Sequence, residues 1–369
     1  MSHKAISTVI YRGVVGFLLA KLATLLANLA WFPVLGRGHR QAGVALPPGA
    51  VSLLIPMRDE AGRLARFLPA ALAQPGVAEV IVLDDGSTDG SAALAESLLA
   101  ASPHARLVSG TPPPAGWVGK SWACQQLAEQ AGGELLVFCD ADVLLAPGAV
   151  RAVLAEQARQ QADLFSVFPR QLTGGLGDAL LTPLIDDVLL CFLPFGLLSV
   201  DVPAAATANG SLLALHRRTL TALGGFTAVR SELVEDVALA RTARRAGCKL
   251  GLALGGKLVQ TQMYAGYPAA VRGLARGLLP VTGGARWRLP AAAGWHLLAY
   301  TLPWVAATHR RRWLLPLGLG LAERLLVALK CHPRAAWQAV LTPLCPLAFL
   351  PVVGQALRRR QTWKGRSYP

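Results

Sequence analysis

Between residues 50 and 255 the chain alternates short apolar runs with helix-like stretches, and this alternation restricts the fold more than any other feature. The runs are VSLLIPM (51–57), EVIVLDD (79–85), ELLVFCD (134–140), ADLFSVF (162–168) and SLLALHR (211–217). Stretches such as ARFLPAALAQ and SAALAESLLAAS lie between them. Strands separated by helical stretches of roughly 10–15 residues predict an α/β fold, a parallel sheet covered by helices. Ligands of such sheets bind beyond the carboxyl ends of the strands. Two of the runs end there in carboxylates.

The flanking regions obey a different rule. Residues 9–35 are apolar apart from Arg12 and Lys21, and they predict a membrane anchor or an interfacial helix over 1–36. Lysine can snorkel near an interface but is costly at mid-bilayer. The Gly- and Pro-rich linker GRGHRQAGVALPPGA follows and marks a boundary. Residues 291–357 hold three further stretches of near-spanning length, 291–308, 313–330 and 338–357; the second contains Glu323 and Arg324. The basic tail over 358–369 predicts a cytoplasmic end. A cytoplasmic catalytic part then requires an even number of spans after it, so 291–308 is expected to be interfacial. So is 178–200, an apolar stretch with Asp186 and Asp187 near its middle, expected as one amphipathic helix on the membrane beside the active site.

Composition agrees with a lipid partner. The chain is 53% hydrophobic and 15% charged, against about 25% charged in ordinary soluble domains. Its net charge of +15 suits nucleic acid or an anionic lipid surface. No basic stretch interleaved with aromatic residues resembles a nucleic-acid module, so nucleic acid is excluded as a partner. The six cysteines form no CxxC pair and no zinc-type spacing.

Three acidic sets stand out. Asp84 and Asp85 precede Gly86 and a run of cap-forming residues; they read either as a turn and helix cap or as acceptors for a nucleobase or ribose. Asp140 and Asp142, directly after an apolar strand, can hold a hard divalent cation whose remaining positions diphosphate oxygens fill. Glu235 and Asp236 open a helical pattern that Gly247 would cap. They read as acids favouring a positive helix end, or with Asp236 as a general base. Lys120, in GWVGKSWA, could neutralise a diphosphate from a loop or simply face solvent.

In this order and spacing, VSLLIPMRDEAGRL, VIVLDDGSTDGS, LLVFCDADV, NGSLLALHRRTLTALGGF and VEDVALARTARRAG resemble the family-2 glycosyltransferases of the GT-A fold, over about residues 50–290. The segments PPPAGWVGKSWACQQL and WKGRSY are similar to a narrower branch, the hopanoid-associated and carotenoid-type bacterial enzymes. The resemblance implies a nucleotide-sugar donor, a Mg²⁺ or Mn²⁺ cofactor, inversion at the anomeric carbon and a lipidic acceptor. It assigns Asp84 and Asp85 to the donor nucleoside, Asp140 and Asp142 to the metal, Asp236 to the base and Glu60 to a donor contact. Asp59 stands where the family has asparagine. The processive QxxRW motif is reduced to GGARW, keeping Arg286 and Trp287 but with Gly283 in place of glutamine, so transfer of one sugar is expected. An inactive GT-A-like membrane scaffold and a nucleotidyltransferase are the alternatives. The latter usually has a Gly-rich loop near its first strand, which PMRDEAGRL does not supply.

Overall fold

A computed structural model describes residues 3–37, 50–173, 175–200, 205–264, 266–358, 361–363 and 366–368. Most of the linker, and the tail's residues 359–360, 364–365 and 369, lie outside them. The chain divides into two compact units.

The first unit, 32–170 with 196–262, contains the sheet. Its strands are β1 (Val51–Met57), β2 (Glu79–Asp84), β3 (Ala105–Ser109), β4 (Leu135–Cys139), β5 (Val143–Leu145), β6 (Leu164–Phe168), β7 (Arg170–Gln171), β8 (Leu212–His216), β9 (Leu250–Leu254) and β10 (Val259–Thr261). The main sheet has the order β3-β2-β1-β4-β8-β6-β9, and β5, β10 and β7 form a small second one. Within the main sheet pairing is parallel except at β8, which runs antiparallel to both β4 and β6. An apolar run has no direction written in it, so this reversal within the expected parallel sheet is a structural finding.

Strand alternation sends Leu53, Val82 and Val137 to one face and Leu54, Ile81 and Phe138 to the other, and helices cover both. Helices α2 (Ala61–Leu72), α3 (Ser91–Leu99) and α5 (Ala149–Gln160) pack on the first face; α4 (Gly119–Gln130) packs on the second. In α2 the buried residues Leu64, Phe67, Leu68 and Ala71 repeat at helical spacing. From β1 the chain moves outward to β2 and β3, then returns to the opposite side of β1 as β4. That reversal opens a crevice at the carboxyl ends of β1 and β4.

The second unit, 1–31 with 171–195 and 263–369, is helical. It takes in 263–290, which the sequence reading had grouped with the sheet. Interspersed with α8 (Arg217–Ala222) and α9 (Glu235–Arg245) of the first unit, its helices are α1 (His3–Trp31), α6 (Leu176–Leu181), α7 (Pro183–Phe192), α10 (Tyr267–Val281), α11 (Arg288–His296), α12 (Leu302–Ala307), α13 (Leu314–Cys331) and α14 (Cys345–Ala356). Among the described residues, two helical stretches are long and apolar enough to cross a membrane, Ile6–Trp31 and Pro333–Ala356. The 178–200 stretch is three short helical segments, with Pro183 opening α7 and a 3₁₀ turn over Phe195–Ser199. Its Asp186 and Asp187 are buried. Asp187 meets Lys21 at 2.8 Å, and Asp186 meets His332 Nε2 at 2.7 Å.

Candidate functional site

The end of β1 turns sharply into α2. Asp59 adopts φ +48°, a left-handed conformation that aspartate and asparagine tolerate better than other residues with a side chain. Its carboxylate accepts the Thr88 N–H at 2.8 Å, and its own N–H donates to Ser87 Oγ at 3.0 Å. An oxygen acceptor is what this turn uses, and asparagine would supply one too. Glu60 follows at the start of α2, with its N–H donating to Ser91 Oγ at 2.7 Å.

The two carboxylates after β2 divide their roles. Asp84 accepts the Ser87 N–H at 3.2 and 3.3 Å and so closes its own turn. Asp85 is buried, its N–H bonded to the Met57 carbonyl at 2.8 Å. Its Oδ2 lies 3.9 Å from Arg58 Nη1, which also donates to the Asp85 carbonyl.

Beyond β4, Asp140 is fixed by its N–H to the Ser211 carbonyl at 3.0 Å. Lys120 does not sit on a loop. It occupies the first turn of α4, where a cation is disfavoured by the helix dipole. Three carboxylate contacts offset that: Nζ lies 2.9 and 3.1 Å from the Asp140 oxygens and 3.2 Å from Glu235 Oε1. Burial alone would lower the lysine pKa, but Asp140 and then Glu235 outweigh it and hold the value well above the usual one. Lys120 is an ammonium bridge between the second and third acidic sets.

Asp236 completes the bridge. It lies in the first turn of α9, its Oδ2 accepting the Gly210 N–H at 2.5 Å and its Oδ1 the Val237 N–H at 2.8 Å. Gly210 is required for close approach, since a Cβ there would stand 3.1 Å from Asp236 Oδ2 and 3.2 Å from Lys120 Nζ. Burial and the Glu235 charge push Asp236 up to about 6, against Lys120 and the two N–H donors. Cys124, one turn after Lys120, registers the grouping as a whole. Burial raises its thiol pKa, Lys120 opposes, and Glu235, Asp140 and Asp85 add to the rise.

Asp142 pairs with Arg63 at 3.3 Å. Burial, then Asp140 and Glu60, push its carboxyl up to about 7, with Arg63 and Lys120 opposing. Glu60, Asp140 and Asp142 thus concentrate negative charge that a divalent cation would relieve, and oxygen-only ligands suit Mg²⁺ or Mn²⁺. Asp140 and Asp142 offer ligands of that kind, each paired here with a cation of the protein, Asp140 with Lys120 and Asp142 with Arg63. Elsewhere, Asp187, Cys191 and Glu323 bring three ligand atoms together, but Lys21 Nζ lies 2.8 Å from both carboxylates and supplies the positive charge itself.

Other residues near these sets, and two glycines of the sequence motifs, have local duties. Arg217 donates to the Ala128, Ala131 and Gly133 carbonyls, closing the end of α4. Trp122 donates to the Thr111 carbonyl at 2.9 Å and packs edge-on against Trp117. Gly247 caps α9 at φ +79°, with the Cys248 N–H reaching back to the Ala243 carbonyl at 2.9 Å. Gly283 has φ +80°, a conformation that disfavours glutamine there. The sequence reading missed Arg58 and Arg63; their one signal is that they flank Glu60 within two or three residues at the head of a helix.

Residues 52–179 match the family model for glycosyl transferase family 2. A 4,4'-diaponeurosporenoate glycosyltransferase of Staphylococcus haemolyticus is 36% identical over 124 residues, covering 32% of each chain. Its Staphylococcus aureus counterpart is 35% identical over 127 residues, covering 34% of this chain and 32% of that one. The chain therefore spans about a third of the length of these curated relatives. A mannosyltransferase from Pyrobaculum calidifontis, solved with GDP-Man and Mn2+, superposes with a TM-score of 0.53 at 20% identity, covering 91% of this chain and 98% of that one. That likeness establishes the GT-A fold.

Proposed function

We propose that this chain, matched to glycosyl transferase family 2 over residues 52–179, transfers one sugar from a nucleotide-sugar donor to a lipidic acceptor at the cytoplasmic face of a membrane. The observation that carries the reading is the Lys120 bridge: one ammonium contacts Asp140 and Glu235, 95 residues apart in sequence, with Asp236 held alongside through Gly210.

Roles follow from position. Asp85, with Asp84 shaping its turn, faces the donor nucleoside, and Glu60 stands at the mouth of the crevice. Asp140 and Asp142 would hold Mg²⁺ or Mn²⁺, as the oxygen-rich donor set allows. A cation held there would supply positive charge to offset the negative charge that grows on the departing diphosphate. Lys120 adds a fixed positive charge to the same region and keeps Asp140 oriented. Asp236 takes the proton from an acceptor hydroxyl. With its pKa near 6 it is ionised at neutral pH yet basic enough to serve. Displacement from the face opposite the leaving group inverts the anomeric centre. Gly283, in place of the glutamine of processive enzymes, supports a single transfer.

A lipidic acceptor is supported by the two spanning-length helices and by the substrate in the relatives' name, 4,4'-diaponeurosporenoate. The basic residues after 357 favour a cytoplasmic orientation. The reading is tested by incubating the purified full chain with UDP-glucose or GDP-mannose, Mn²⁺ and a bacterial lipid extract. Nucleoside diphosphate and a labelled glycolipid should appear together. Release of sugar 1-phosphate would point to nucleotidyl transfer, and no turnover of any nucleotide sugar would favour an inactive scaffold.

A further inference from the structure

Arg63 lies in the first turn of α2, an end of the helix whose dipole disfavours a cation and favours an anion. There it meets a carboxylate: Nη1 lies 3.3 Å from Asp142 Oδ2. Asp142 is one of the two carboxylates assigned above to Mg²⁺ or Mn²⁺. A cation of the protein therefore already occupies an oxygen that the metal would need. Asp140 is paired likewise with Lys120, but Lys120 also lies 3.2 Å from Glu235 and is fixed from that second side.

The two partners of the Arg63 pair differ in freedom. Asp142 is set by its backbone: its carbonyl accepts the Thr261 hydroxyl at 3.1 Å, and the Val143 N–H that follows donates to the Asp140 carbonyl at 3.1 Å. Arg63 reaches it through a long side chain that is 29% exposed, against 17% for that of Asp142. An ion pair open to solvent adds little net stability, and a divalent ion attracts the same carboxylate with twice the charge. Exchange therefore takes place at the arginine end. Hard cations held by one or two carboxylates complete their coordination with phosphate oxygens. The planar fork of arginine matches such oxygens, and a side chain released from Asp142 starts beside them.

We propose that Arg63 is a resident counter-cation for Asp142, which it gives up to a divalent cation as it passes to the donor's diphosphate. This role rests on the proposed sugar transfer. The metal alone then binds weakly, in competition with Arg63, and metal and nucleoside diphosphate bind cooperatively. Mn²⁺ binding to the full chain in mild detergent is followed by the electron paramagnetic resonance signal of free Mn²⁺. It is measured without nucleotide and with UDP, GDP, dTDP and ADP in turn, corrected for Mn²⁺ taken up by nucleotide in solution. The unaltered chain should bind Mn²⁺ at least about fivefold more tightly with one of these than without. Arg63→Gln should bind Mn²⁺ alone at least about fivefold more tightly than the unaltered chain, through loss of a neighbouring positive charge, and nucleotide should add less. Arg63→Lys, which keeps the charge, should stay close to the unaltered chain. If Arg63→Gln does not fold, Arg63→Met is read in its place. Equal or weaker nucleotide-free binding by the folded uncharged variant, or no effect of any nucleotide on the unaltered chain, would overturn the role of Arg63 and leave sugar transfer standing. Metal-dependent sugar transfer fails differently, with Mn²⁺ bound by no form of the chain under any condition, and the role of Arg63 falls with it.

Discussion

At the residue scale the chemistry turns on Asp236. Its carboxyl, raised to about 6 by burial and Glu235, acts as a base only when ionised. With a hydroxyl-bearing lipid acceptor, turnover should therefore be flat above about pH 6 and fall as pH drops through it, approaching tenfold per unit well below. Asp236→Asn should lower turnover of that acceptor by about 10²–10⁴-fold and remove the acidic limb. A carboxylate acceptor is ionised without help, and the same variant should retain most of its rate with one. Steady-state kinetics with both acceptor types, alongside circular dichroism to confirm folding, checks this. The acids themselves were legible in the sequence, Asp84, Asp85, Asp140 and Asp142 because they follow apolar strands and Glu235 and Asp236 because they open a helical pattern. Their partners were not: Lys120 reaches Asp140 across 20 residues and Glu235 across 115, and nothing local marks such a pairing.

At the scale of elements, packing decides what a residue can do. Gly210 lets the strand β8 approach α9 and α4 closely. Gly210→Ala places a methyl 3.1–3.3 Å from Asp236 and Lys120, so both must shift. The expected result is at least about tenfold loss of kcat/KM from a displacement of tenths of an ångström, with thermal stability reduced by no more than about 1–3 kcal/mol. Kinetics and denaturation on the same preparation separate the two effects. In the helical unit, α1, α7 and α13 meet at the Lys21 pair of bridges. Lys21→Met leaves Asp187 and Glu323 buried without their ammonium, which should destabilise that unit by about 3–5 kcal/mol, read as a lowered melting temperature in detergent. The strands 51–57, 79–85 and 134–140 were legible from their apolar runs. The edge strand β3 was not, because it is half-exposed and carries no such run. Asp186 and Asp187 suggested a solvated helix face for the same reason that Lys120 suggested a loop: the partners that bury them come from distant segments.

At the scale of the whole molecule, a GT-A sheet and an apolar helical unit share one chain, and the composition of each announced it. The sheet unit joins the second and third acidic sets through one ammonium, and among the described residues the helical unit supplies two stretches long enough to cross a bilayer. The most direct test combines both properties. The full chain, purified in mild detergent, is given radiolabelled nucleotide sugars, a bacterial lipid extract and Mn²⁺, and label in the organic phase is counted. The account predicts a labelled lipid that forms with Mn²⁺, disappears with chelator and is absent in a folded Asp142→Ala variant. Equal labelling with and without metal, or an Asp142→Ala variant as active as wild type, would contradict it.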